Sequence, residues 1–271
     1  MTTTPSAHEK VLIIGMDSQI GSALSVYIKS NHISHFGTTR KPQNASTEVY
    51  LFDLEHPDFS VFNQAFTHAI FCAAVTNIAK CENDPNRCRQ INVVNTIRLI
   101  ELLNKDGTFI IYLSSNAVFN GEKPFYNYDD ATCPATTYGL YKCEVENYLA
   151  LNTPENNCVL RLTKVISPST PFINQWQELA EAGHPIPAFT NRLVSPVAID
   201  EVVRTIYQLI KIKPKGLYQL GGDHEYSYHQ YAQSLFCAFP DILTLIQPTV
   251  DPLSLNRISH NSLRTYLPYS Q

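Results

Sequence analysis

Short apolar runs recur along the chain, and between several of them the apolar positions change to a spacing of three and four. The runs at 10–14, 32–37, 48–52, 68–74, 111–115 and 157–163 have the length of strands, the first of them rich in β-branched residues. Helical spacing begins after residue 21, opens again at Tyr138 and covers 174–182. It returns from Asp200, expected as the cap, to about Lys211, with Val202, Val203, Ile206, Leu209 and Ile210 on one face. The run at 216–222 reads as a strand returning to the sheet, and 227–239 as a further amphipathic helix. Strands and helices in alternation predict an α/β fold built on a doubly wound parallel sheet. From Ser167 the composition turns proline-rich (Pro168, Pro171, Pro185, Pro187). The chain therefore divides into a sheet domain over 1–166 and a smaller C-terminal portion over 167–271, with 196–222 rejoining the sheet.

The first run stops at Gly15-Met-Asp-Ser-Gln-Ile-Gly21. A turn of this kind lets backbone amides approach a pyrophosphate and aims the N-terminus of the next helix at it. Gly15, Asp17, Ser18, Gln19, Ile20 and Gly21 are thus candidate cofactor ligands of a Rossmann-type domain. Ser18 could weaken nucleotide affinity if the turn demanded a positive φ at that position. No acid closes the second run. Thr38, Thr39 and Arg40 stand there instead, where such a fold places the adenosine ribose, and a guanidinium suits a 2′-phosphate. NADP(H) is the expected cofactor, with NAD as the alternative. The fourth run ends in Cys72, Ala73 and Ala74, small enough for a cofactor to lie across the strand end.

The fifth run ends in Ser114-Ser115, and Tyr138-Gly-Leu-Tyr-Lys142 opens a helix about two dozen residues later. Residues four apart share a helix face, and an ammonium beside a phenol lowers its pKa from about 10 toward the range where it exchanges protons usefully. A serine hydroxyl at the strand end can hold a carbonyl. Tyr207 and Lys211 repeat the spacing, but no strand ending in serine precedes them.

This Ser115, Tyr138, Lys142 arrangement resembles the short-chain dehydrogenase/reductase family. The narrower resemblance is to the dTDP-4-dehydrorhamnose reductase branch of its extended members. It rests on Cys72-Ala-Ala-Val-Thr-Asn-Ile-Ala-Lys-Cys-Glu82, Ile91-Asn-Val-Val-Asn95, Tyr112-Leu-Ser-Ser-Asn-Ala-Val-Phe-Asn-Gly121 and Tyr138-Gly-Leu-Tyr-Lys142, in that order, and spans roughly residues 10 to 240. The branch pattern Ser-Thr-Asp-Tyr-Val-Phe-x-Gly reads here with Ser115, Asn116 and Ala117, keeping the hydroxyl and losing the acid and the ring. Ser18 replaces the middle glycine of Gly-x-x-Gly-x-x-Gly.

The resemblance implies that Ser115 holds the carbonyl, that Tyr138 supplies the proton, and that Lys142 holds the nicotinamide ribose and tunes the phenol. It implies that Asn92 belongs to a proton relay. Asp53 and Leu54 are implied on the adenine side and Val165 at the nicotinamide carboxamide. Val75, Thr76, Asn116, Val118, Asn191 and Arg192 are implied around the sugar nucleotide, and Ser262-Leu263 resembles a late substrate-domain motif. The expected activity is reduction of a 4-keto-6-deoxy sugar nucleotide. A sugar-nucleotide epimerase or dehydratase is one alternative. Another is a non-catalytic NADP-binding subunit resembling the regulatory subunit of methionine adenosyltransferase.

Composition agrees. The 271 residues, 44% hydrophobic, suffice for a sizeable core. A formal charge of −4 without a lysine-rich run argues against nucleic acid as a partner. The polar stretch 1–10 and the short run after it predict neither leader nor membrane span, hence a cytoplasmic enzyme; a homodimer is one candidate assembly, which the sequence does not decide. The seven cysteines lack any Cys-x-x-Cys pair and read as reduced, and neither they nor the nine histidines form a metal-ligand cluster.

Overall fold

The structure is a computed structural model that describes residues 9–252 and 259–269. Most of the polar stretch 1–10 therefore lies outside the described residues. The chain opens with β1 (Lys10–Ile14), α1 (Gln19–Ser30), β2 (Ser34–Thr39), β3 (Val49–Leu51) and β4 (His68–Phe71). Next come α2 (Ile78–Asn83), α3 (Pro85–Arg89), a π-helical stretch at Gln90–Asn95, and α4 (Thr96–Lys105). Then follow β5 (Phe109–Ser115), α5 (Thr137–Asn152) and β6 (Asn157–Leu162). The C-terminal portion contains β7 (Lys164–Ile166), α6 (Pro171–Glu181), β8 (Ile186–Phe189), β9 (Leu193–Val194), β10 (Pro196–Ala198) and α7 (Ile199–Ile212). It continues through β11 (Gly216–Leu220), β12 (Tyr226–Ser227), α8 (Tyr228–Leu235), α9 (Pro240–Leu243) and β13 (Ile246–Thr249).

Seven strands form one parallel sheet in the order β11-β6-β5-β4-β1-β2-β3, the doubly wound Rossmann-type architecture. Alternate strand residues feed two cores. Val11 and Ile13 pack with Leu24, Ile28 and Ile206 on one face, while Leu12 and Ile14 pack with Leu99, Ile100 and Leu149 on the other. In β5, Ile111 and Leu113 join the first group and Ile110 and Tyr112 the second. A third cluster gathers Trp176, Ile186, Ala232, Phe236 and Ile246 from α6, β8, α8 and β13.

Several boundaries differ from the sequence expectation, each for a local reason. The second strand runs two residues later than expected, so Thr38 and Thr39 are buried strand residues. The fourth stops at Phe71, and 72–77 continue as an irregular segment along the site. Asp200 does not cap α7. Ala198 occupies the cap position, and Asp200 lies in the first turn, where its charge favours the helix dipole. Ser227 caps α8 through a capping box with Gln230, and that helix ends at Leu235. The stretch after Pro240 is more ordered than its prolines suggest, for β13 pairs in parallel with β8.

His68, in β4, is fully buried, and its Nδ1 lies 2.9 Å from Thr67 Oγ1. Burial, helped by nearby Lys213, pushes its imidazole down from 6.5 to about 3. A group whose folded pKa is depressed stabilises the fold above its unfolded pKa and loses that contribution as pH falls. The melting temperature is expected to drop as pH is lowered from 6.5 to about 5, above the range where carboxylates titrate. His68→Phe should flatten that slope, and an unchanged slope would show that His68 does not set it.

Candidate active site

The carboxyl ends of β1, β2, β4 and β5 converge on one crevice, the place where a doubly wound sheet leaves room for a ligand. Ser115 ends β5 and turns the chain into a 3₁₀ turn at Asn116–Val118, its Oγ accepting from Ala117 N at 3.2 Å. Thr136 caps α5 by accepting from Gly139 N at 3.1 Å. A Cβ on Gly139 would lie 2.0 Å from Ala117 O, so only glycine lets α5 start this close to the turn. That contact brings Tyr138 to Ser115.

Tyr138 and Lys142 are 9% and 5% exposed. The Lys142 Nζ donates to Leu113 O at 2.7 Å and stands 4.5 Å from the Tyr112 ring centroid and 5.8 Å from that of Tyr138. Burial pushes the Tyr138 phenol up to about 12, with the Ser115 hydroxyl pulling the other way. Burial pushes Lys142 down to about 8, while Glu146 and Cys72 hold it up. The expectation that the lysine lowers the tyrosine pKa is therefore corrected: here desolvation wins, and the phenol is held protonated. Such a group can give a proton at neutral pH provided its conjugate base is stabilised as it forms, and the adjacent ammonium is placed for that.

One turn beyond Lys142, Glu146 meets Arg161 of β6. Arg161 Nη2 lies 2.7 Å from Oε2, its Nε contacts both carboxylate oxygens at 3.1 and 3.3 Å, and its Nη1 donates to Tyr128 O at 3.2 Å. Ser114 donates to the same carboxylate. Sequence reading missed this pair, since nothing in either segment marks it.

On the other side of the crevice the glycine turn is closed. Gly15 has φ 85°, and a Cβ there would lie 2.7 Å from that of Ala73. Ser18 has φ −73°, so serine is unstrained; it caps α1 and accepts from Gly21 N at 3.0 Å. Gly21 is buried beneath the turn. Gln19 reaches across to Ser167 Oγ at 2.8 Å.

Thr38 Oγ1 accepts from Gly15 N at 2.8 Å, and Thr39 donates to the Asp17 carboxylate and accepts from Lys41 N at 3.0 Å. Asn44 donates to Asp17 at 2.9 Å. The Thr39 hydrogen bond above all, then Asn44, Lys41 and Arg40, holds the Asp17 carboxyl below the usual range against burial. This corrects the reading of an acid-free strand end. Both threonine hydroxyls are spent on the protein, and an acid reaches the end of β2 from the glycine turn.

A cavity of about 620 Å³ is lined by Gly15, Asp17, Arg40, Asp53, Leu54 and Ala73 among others. A dinucleotide fits this donor set: a glycine cradle at the N-terminus of a 12-residue helix, small side chains across the strand end, and Arg40 and Lys41 at the rim.

A second cavity of about 550 Å³ is lined by Ser115, Tyr138, Lys142, Asn116, Val165 and Arg192 among others. Cys72, Ala74 and Thr76 line both, so the two are continuous. Two expectations need correction. Val118 is fully buried among Phe119, Tyr126, Cys143 and Leu263, a core residue with no face on the cavity. Val75 lines the glycine-turn cavity instead. Asn92 spends both ends of its amide on Val75, donating to its carbonyl at 2.9 Å and accepting from its N–H at 2.8 Å. It clamps the segment after β4, and its amide keeps one further N–H and one further lone pair beyond these two contacts.

Asn191 lines the second cavity while exchanging hydrogen bonds of 2.9 and 2.8 Å with the Asp251 backbone. Arg192 lies 3.4 Å from Asp251 and over the rings of Tyr228 and Phe189. Ser262 Oγ accepts from Phe125 N at 2.8 Å and Leu263 pairs with Tyr126, which places the late motif beside the site. Lys164, Asn120 and the segment 259–261 also line the cavity and escaped sequence reading, because no local pattern ties them to it.

The dTDP-4-dehydrorhamnose reductase of Sinorhizobium fredii is 26% identical over 217 residues, 73% of each chain. The methionine adenosyltransferase 2 subunit beta of Xenopus laevis is 26% identical over 274 residues, 93% of the chain and 77% of its own. Among solved structures, dTDP-4-dehydrorhamnose reductase of Bacillus anthracis in complex with NADP superposes with a TM-score of 0.83 at 18% identity, covering 97% of the chain and 91% of its own. The model of the family described as RmlD substrate binding domain matches residues 9–265, and the chain belongs to that family.

Proposed function

We propose that the protein is an NADPH-dependent reductase of the keto group of a 4-keto-6-deoxy sugar nucleotide. The observation that carries this is convergence: Ser115, Tyr138 and Lys142 meet in a cavity continuous with the glycine-turn cavity. The names of the reductases from S. fredii and B. anthracis supply the sugar-nucleotide class. Gly15, the N-terminus of α1, Ala73, Ala74 and Arg40 hold NADPH, which when bound supplies hydride. Ser115 holds the carbonyl oxygen, Tyr138 gives it a proton, and Lys142 stabilises the phenolate as it forms.

A dehydratase is less favoured, because its chemistry calls for an acid beside the strand-end hydroxyl, and the residue there is the neutral Asn116, whose amide donates to Asn261 O at 3.0 Å. A purely regulatory subunit is less favoured because the full catalytic set is present and enclosed. The test is NADPH consumption with a panel of dTDP-, GDP-, CDP- and UDP-linked 4-keto-6-deoxy sugars, with the product identified by mass. Isomerised sugar without net NADPH loss, or no turnover with any of them, would sink the reading.

Cofactor choice follows from the end of β2. Arg40 is exposed and its grip on a 2′-phosphate is worth about 1 kcal/mol or less, while the Asp17 charge opposes it. NADPH is therefore expected to be preferred over NADH by less than about tenfold. Asp17→Asn should widen the preference and Arg40→Asp reverse it, as read by fluorescence titration of both cofactors. A ratio untouched by either change would remove both residues from the ribose site.

A further inference from the structure

One wall of the substrate cavity comes from Ser259, His260 and Asn261, at the far end of the chain. This wall is tied down at His260 and Asn261. Glu225, 8% exposed at its side chain, accepts from Asn261 N at 2.6 Å, from Ser262 N at 3.0 Å and from His260 Nδ1 at 2.6 Å. Asn261 also donates to Leu193 O at 2.9 Å, and His260 N donates to Gly121 O at 3.0 Å. Asn116 Nδ2 donates to Asn261 O at 3.0 Å, and Ser115 Oγ donates to Asn116 Oδ1 at 3.2 Å. His260 therefore stands on the Ser115 side of the cavity, one residue from a side chain that touches the residue next to Ser115.

The chemistry of this wall is specific. A carboxylate only accepts, so His260 Nδ1 carries the hydrogen, and in the neutral ring Nε2 presents a lone pair. Nε2 makes no hydrogen bond within the described residues, and the side chain is 29% exposed where it lines the cavity. Around it stand the neutral amides of Asn116 and Asn261, whereas the cations Lys164 and Arg192 come from β7 and from the residue just before β9. Neutral acceptors and donors suit sugar hydroxyls; ammonium and guanidinium suit phosphates.

We propose that His260 is a specificity-determining residue that accepts, through Nε2, a hydrogen bond from a hydroxyl of the sugar ring near the carbonyl held by Ser115, with Glu225 as its positioning residue. This rests on the reading of the site as a keto-sugar-nucleotide reductase. Glu225 fixes the tautomer and the ring plane, so the acceptor is in place before the sugar arrives. Sugars lacking that hydroxyl leave a desolvated acceptor unpaired, which is how such a site discriminates.

The test measures kcat and KM for dTDP-4-keto-6-deoxyglucose, and the Kd for NADPH, in wild type, His260→Phe, His260→Asn and Glu225→Gln. The His260→Phe value of kcat/KM is expected to fall about ten- to a hundredfold with NADPH affinity unchanged, and Glu225→Gln to lose less. Discrimination against the analogue deoxygenated at the contacted hydroxyl should shrink in all three. In wild type, the His260 ring Cε1 resonance, assigned by its absence in His260→Asn, should shift on adding the dTDP-sugar and stay still with dTDP alone. That reading survives a poorly folding Phe variant. Equal shifts with dTDP alone, or variants that match an active wild type, overturn the inference and leave the reductase reading standing. A wild type that reduces no keto-sugar nucleotide overturns both.

Discussion

Tyr138→Phe is expected to slow turnover at least about a hundredfold while leaving the fold and the affinity for NADPH nearly unchanged. The ring is buried in the core cluster that also holds Tyr141 and Val145, and that packing survives the change. What goes is the hydroxyl beside Ser115, the group proposed as the proton donor. Lys142 cannot replace it, because its Nζ is engaged by Leu113 O and its charge is needed where it is. Tyr207→Phe is the matched control. Tyr207 makes an edge-to-face contact with Tyr27 at 5.5 Å, and Lys211 is paired with Glu9 at 2.6 Å, far from the crevice in role and partners. Single-turnover rates for both variants settle the assignment: equal losses, or no loss in either, and Tyr138 is not the donor.

Arg161→Met is expected to destabilise the protein by about 3–5 kcal/mol. Arg161 and Glu146 side chains are 4% and 8% exposed, and the guanidinium meets the carboxylate with Nε and Nη2 together. Removing it strands a buried carboxylate with Ser114 as its remaining hydrogen-bond donor among the described residues, and breaking a buried pair on one side is far more costly than the pair was stabilising. Replacing both partners, Arg161→Met with Glu146→Leu, should recover most of the loss, since neither charge of the pair is then left in the interior. Lys215→Met gives the contrast, because Lys215 and Glu155 are largely exposed and such pairs contribute under about 1 kcal/mol. Urea midpoints for the three variants decide it. A loss in Arg161→Met no larger than in Lys215→Met would mean that water reaches Glu146.

The parts of this architecture that could be read from the chain alone are those whose meaning is local. Lys10–Ile14 with the turn after it, the serine-ended β5, and Tyr138 with Lys142 on one turn of α5 each declare themselves within a few residues. Asp17 did not, because its position beside Thr39 depends on how the turn after β1 folds toward β2, 22 residues on. Asn92 sits where the family pattern puts it, yet its contacts with Val75 exist because a π-helical stretch, not a regular helix, carries it. Arg161 and Glu146, like Glu225 and His260, are ordinary surface-type residues in sequence. Only the pairing of β5 with β6, and the return of the chain after β13, bury or enclose them.

The bond between Asn116 and Asn261 spans 145 residues of sequence. Closing so long a loop costs conformational entropy before any contact repays it, so contacts of this kind form late in folding. The sheet and its glycine turn depend on neighbours much nearer in sequence: β1 pairs with β2 and β4, and Ser18 caps its own helix. During refolding, competence to bind a dinucleotide should thus precede competence to turn over a sugar. A chain halted at that point would be folded and cofactor-loaded, and it would lack one wall of its substrate cavity.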